Sequence, residues 1–180
     1  MNARSLFALA LTASLPLALG GCPKDKEDSL TYGEALDALN ESSAESEASA
    51  LSSSAVEITT NFTIGQAVAD AATQIRDYIA AQLPCAEITL ANATLDIQYG
   101  AKPGNCSYHG QTLSGHTTVA VTRITAGEVQ VDHTWTDLTN GRVKVTGSAT
   151  VTWSATSKSR HVVHTGTWTR VSDEIGRAHV

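Results

Sequence analysis

Histidines, tryptophans and cysteines are the residues best equipped for chemistry in this 180-residue chain, and their spacing limits what they can do. His161 and His164 stand in His-Val-Val-His. On a strand, positions three apart point to opposite faces, so a shared metal ion would need a helix or a bulge there, and a carboxylate partner as well. Asp132 and His133 are adjacent, hence also on opposite strand faces, which argues against a direct acid–base pair. Trp135 and Asp137 complete no catalytic set with them. Ser114-Gly115-His116 lacks the Gly-x-Ser-x-Gly elbow of hydrolases. Gly100 to Gly104 lacks the lysine and serine of a phosphate loop. These patterns predict no enzyme, no metal and no cofactor.

Trp135, Trp153 and Trp168 are the candidate ligand-binding residues. Buried on one face, they are core residues beneath a helix. On an exposed face, they form a stacking platform for sugars or for a partner's aromatic side chains. The opposite positions (Thr134, Thr136, Thr146, Thr150 and Thr152) supply hydroxyls and no strong acid or base.

The elements that must position these residues follow from periodicity. Thr31-Tyr32-Gly33-Glu34 fits a capping box that opens a short helix. Its stripe (Leu36, Leu39, Ser43, Glu47, Ala50) begins apolar and fades, so 41–54 reads as a frayed helix or a flexible acidic spacer. From Ile64 to Leu83 an apolar stripe recurs at helical spacing through Val68, Ala71, Ala72, Ile75 and Ile79, and Pro84 ends it. Its polar face is not strongly basic, which disfavours a membrane-surface helix. The period then falls to two. Strands are predicted at Ala86–Leu90, Thr94–Tyr99, His116–Thr125, Glu128–Leu138, Arg142–Ala155 and His161–Val171, with Asn140-Gly141 as the clearest hairpin signal. Val129, Val131, His133 and Trp135 share one face, as do Val143 to Trp153 at alternate positions, then Val162, His164, Gly166 and Trp168. The expected fold is α+β, with N-terminal helices packed on an antiparallel meander of about six or seven strands.

The start of the chain carries a different signal. Arg4, an apolar run from Leu6 to Leu19, and Leu19-Gly20-Gly21 before Cys22 resemble a bacterial lipoprotein signal. The apolar run is shorter than the roughly 20 residues that span a bilayer. The resemblance implies cleavage after Gly21 and lipidation of Cys22, so that acyl chains hold the protein at a membrane. Pro23 stands where an aspartate would signal inner-membrane retention in a Gram-negative bacterium, which favours the outer membrane. With His133-Thr134-Trp135-Thr136-Asp137 and the amphipathic helix, the chain resembles an uncharacterised family of bacterial envelope lipoproteins, a resemblance that implies no substrate. With Cys22 lipidated, Cys85 and Cys106 are expected to form one disulfide, the competing reading being a pair of free thiols or a metal site, which no CxxC or second ligand pair supports.

At the other end, Glu174–Val180 is encoded by one possible reverse translation, GAG ATC GGA AGA GCA CAC GTC TGA, that resembles a sequencing adapter. The expected division is a signal peptide at 1–21, a lipidated acidic tether at 22–60, an α+β domain at 61–173 that is incomplete at its C-terminus, and an adapter-derived tail at 174–180. The strand from His161 would then be an artificial edge.

The net charge of -6 is unevenly spread: nine acids against two lysines from Lys24 to Glu57, but seven Lys or Arg against four acids from Ala101 to Asp173. That basic excess is too dispersed for a nucleic-acid partner. The combined expectation is a lipid-anchored binding or structural module of the envelope, with an unknown envelope partner or ligand. Behind it stand a carrier holding an apolar ligand between helix and sheet, and an enzyme whose site is partly lost with the missing C-terminus.

Overall fold

A computed structural model describes residues 30–125 and 127–173. The Cys22 signal and the Glu174–Val180 tail therefore lie outside the described residues. Two helices, α1 (Tyr32–Glu57) and α2 (Val68–Gln82), precede all the strands: β1 (Glu87–Ala91), β2 (Thr94–Tyr99), the short β3 (Ser107–Tyr108) and β4 (Gln111–Thr112), then β5 (Ser114–Thr125), β6 (Glu128–Thr139), β7 (Val143–Ser154) and β8 (Ser159–Arg170). The fold is α+β. The main sheet has six strands in the order β1-β2-β5-β6-β7-β8, antiparallel throughout, and β3 and β4 form a separate hairpin.

Both helices lie on the same face of the sheet. α2 covers β1, β2 and β5, while α1 covers β7 and leans on β8. Between them and the sheet lie Leu51, Ile58, Ile75, Ile79, Leu83, Ile97, Val119, Val131, Trp135 and Val151, all fully buried. The alternation predicted for β6 and β7 holds, but a bulge between Trp135 and Leu138 keeps both side chains inward although they stand three apart.

α1 differs from its expected form. The capping box is present: the Thr31 hydroxyl accepts from the Glu34 amide at 3.3 Å, and the Glu34 carboxylate accepts from the Thr31 amide at 2.7 Å. That amide and the Thr31 hydroxyl hold Glu34 below its usual carboxylate pKa. The helix then continues unbroken to Glu57, and its buried face is Ala44, Ala48, Leu51 and Ala55, not the stripe that opens at Leu36. Leu39, near the start, is 67% exposed. Small side chains explain the reversal. Alanine and serine let the helix axis approach the sheet closely, so the half that looked solvated is the half that packs.

Further boundaries moved. α2 begins at Val68, because Gly65 at φ 98° interrupts the stripe after Ile64. Of the pair Asn140-Gly141 only Gly141 takes a positive φ; the Asn140 side-chain oxygen instead accepts from the Arg142 and Val143 amides, each at 3.0 Å. Cys85 and Cys106 are bonded, with Cα atoms 5.4 Å apart, and they pin the β3–β4 hairpin to the end of α2.

Candidate functional site

The inner face of the sheet is organised in cross-strand rows. One row runs Val119, His133, Ala149, His164 across β5 to β8, and the next runs Thr117, Trp135, Gly147, Gly166. Trp135 is fully buried, and its neighbours across β7 and β8 are glycines. The reason is close approach. A Cβ at Gly147 would press on the Thr165 carbonyl oxygen and come within 2.6 Å of the Gly166 Cα.

His133 is 1% exposed and sits beneath the end of α1. The Thr59 hydroxyl lies 2.7 Å from the Val56 carbonyl oxygen, to which it donates, and 2.7 Å from His133 Nε2. Nδ1 lies 3.3 Å from the Ala149 carbonyl oxygen, an acceptor that favours the protonated ring. Burial outweighs that benefit and lowers the His133 pKa to about 4. Its position thus fits a structural link between helix and sheet.

The three tryptophans share the inner face but form no common platform. Trp135 is core. Trp153, half-buried, meets the Phe62 ring edge-on at 5.1 Å and carries the Arg160 guanidinium 5.7 Å from its ring centroid. Trp168 lies on β8, eight residues along from Arg160, a separation of roughly 26 Å at strand rise. His161 and His164 point to opposite faces, and no group of three or more His, Cys, Asp or Glu able to hold a metal occurs among the described residues. His116 bonds Asp96 at 2.7 Å, and His109 bonds Glu57 at 3.0 Å.

Between α1 and β8 runs a groove that residue patterning did not reveal. One stretch of about 420 Å³ is lined by Ser49, Ser52, Val56, Arg160, Val162 and His164, among others. The adjoining stretch, about 290 Å³, shares Ser49, Ser52 and His164 and continues to Gly166 and Trp168. His164 connects groove to core, its ring 5.3 Å from that of Trp135. No protein-family model matches the chain, nor does any curated protein or solved structure. The groove's chemistry is mixed: serine hydroxyls and carboxylates on the helix wall, a guanidinium, an imidazole and a valine on the strand wall. Among the described residues no hydrogen bond pairs a groove serine with His164, and the Ser52 hydroxyl donates to the Ala48 carbonyl oxygen at 2.9 Å.

Proposed function

We propose that the chain is a lipid-anchored protein of the cell envelope, held at the outer membrane through Cys22, whose α+β domain acts as a non-catalytic binding module. The observation that carries the binding role is the groove between α1 and β8, which lies beside a sheet edge that no described element covers. The Leu19-Gly20-Gly21-Cys22 pattern supports the anchor. The Cys85–Cys106 disulfide supports an oxidising compartment outside the cytoplasm. No helix among the described residues is long and apolar enough to cross a membrane.

A carrier of apolar ligands fits less well, because the groove is lined by serines, Glu57 and Arg160, while Ala71, Ala72, Ile75 and Ile79 fill the space beneath α2. Metabolic labelling with an alkyne fatty acid in a Gram-negative host tests the anchor. The full chain should take up label and sediment with outer membranes, and Cys22→Ala should lose both properties. Label that survives Cys22→Ala would sink the reading.

A further inference from the structure

β8 presents an unusual combination of edge and groove. The Val171 amide donates to the Arg142 carbonyl at 2.9 Å, on the β7 side. β7 and β8 then pair from Val143↔Arg170 to Ser154↔Ser159 without a register shift. Because amide direction alternates along a strand, odd-numbered residues of β8 bond to β7. The amides and carbonyls of Arg160, Val162, His164, Gly166, Trp168 and Arg170 therefore face off the sheet. Side-chain direction alternates with the same period, so these six residues also turn their side chains to the inner face, where the groove begins. One set of residues offers main-chain donors and acceptors along the edge and a side-chain channel beside it.

We propose that β8 docks an extended peptide segment of a partner protein, which adds as a further strand with alternate side chains in the groove and a carboxylate opposite Arg160. The proposal rests on the binding-module reading and on β8 being the sheet's edge in the natural protein, in place of the artificial edge expected if the C-terminus is missing, and it adds the class of partner. Strand addition draws affinity from main-chain hydrogen bonds and specificity from pockets for alternate side chains, and both parts are present here. Residues 161–169 contain no proline, no Lys, Arg, Asp or Glu, and no bulge, so the usual devices that guard a long edge are missing between the two terminal arginines. Val162 and Val163 are 44% and 51% exposed. Charge selects the partner. Arg170 is already paired with Glu41 and Asp173, and Glu57 with His109, whereas Arg160 lies over the Trp153 ring and has no carboxylate partner among the described residues. Ser159 to Arg170 holds no acid at all. A second copy paired antiparallel through β8 would bring Arg160 near Arg170 at both ends, a like-charge arrangement that works against self-association.

The test uses the purified full-length chain and two labelled peptides of about nine residues, alternating Val and Thr, one bearing Glu and the other Lys at matching positions. The Glu peptide should bind roughly tenfold more tightly, as expected for one opposed charge pair against one like pair. It should also slow hydrogen exchange at the Arg160, Val162, His164 and Gly166 amides. Val162→Pro removes an amide that β7 does not use, so it should keep the unfolding midpoint and abolish peptide binding. Arg160→Glu should reverse the preference toward the Lys peptide. The proposal is overturned if neither peptide protects those amides, or if Val162→Pro folds and still binds. Protection of the edge without peptide would also overturn it. Concentration-dependent protection would assign the edge to a second copy, and concentration-independent protection to another part of this chain. Acylation of Cys22 is read separately on the same preparation, so loss of the anchor reading and loss of the docking proposal remain distinct results.

Discussion

Thr59 and His133, seventy-four residues apart, meet at 2.7 Å and fasten the end of α1 to the middle of β6. The contact is buried, and its energetics depend on proton count. His133 titrates near 4 in the folded chain against 6.5 for the free side chain. Between those values the unfolded chain binds more protons, so stability is full above pH 6.5 and declines as pH falls toward 4. The loss from pH 7 to pH 4 should be about 3 kcal/mol. Urea unfolding at both pH values measures it, with His133→Leu as control; an equal slope in the variant would assign the loss to other groups. Thr59→Ala should lower stability at pH 7 by about 1–3 kcal/mol by removing the partner of the buried Nε2, and Thr59→Ser should restore it.

That contact could not be read from sequence, because nothing local marks residues 59 and 133 as partners. What was legible was periodic. Val143 to Trp153 alternates cleanly, and the strand boundaries there fell within one residue. The packing face of α1 is hard to read from sequence because it is alanine and serine, which contrast little with a solvated face, whereas Leu36 and Leu39 suggest a core they do not enter. The groove was invisible for a related reason: its helix wall is Ser49, Ser52 and Ser53, ordinary surface residues until α1 is placed against β8.

The tryptophans should separate by position. Trp135→Ala empties a fully buried site and should cost about 3–5 kcal/mol. Trp168, half-buried at the groove's far end, should cost roughly 1–2 kcal/mol when changed to alanine. Equal unfolding midpoints for the two variants would contradict the assignment of Trp135 to the core and Trp168 to the rim.

Gly147 should tolerate no side chain. Gly147→Ala drives a methyl group into β8 and should destabilise by about 1–3 kcal/mol or detach the strand. Gly166→Ala meets the Thr146 carbonyl at 3.2 Å, a tighter-than-usual but adjustable contact, and should cost less. Comparing amide exchange across β8 in the two variants checks both statements.

Reduction of Cys85–Cys106 should lower stability by about 3 kcal/mol, the loop-closure value for cysteines 21 apart in sequence. The urea midpoint with and without reductant reads this directly. A double alanine variant that matches the oxidised chain would show that the bond does not hold the hairpin.

The sheet ends on strands of unlike length, five residues at β1 and twelve at β8. Head-to-tail repetition would lay the long margin of one molecule against the short margin of the next and leave more than half of β8 unmatched. Chains of molecules linked in that way are therefore poorly supported. The sheet of the described residues therefore has one long margin, with room along it for a single strand.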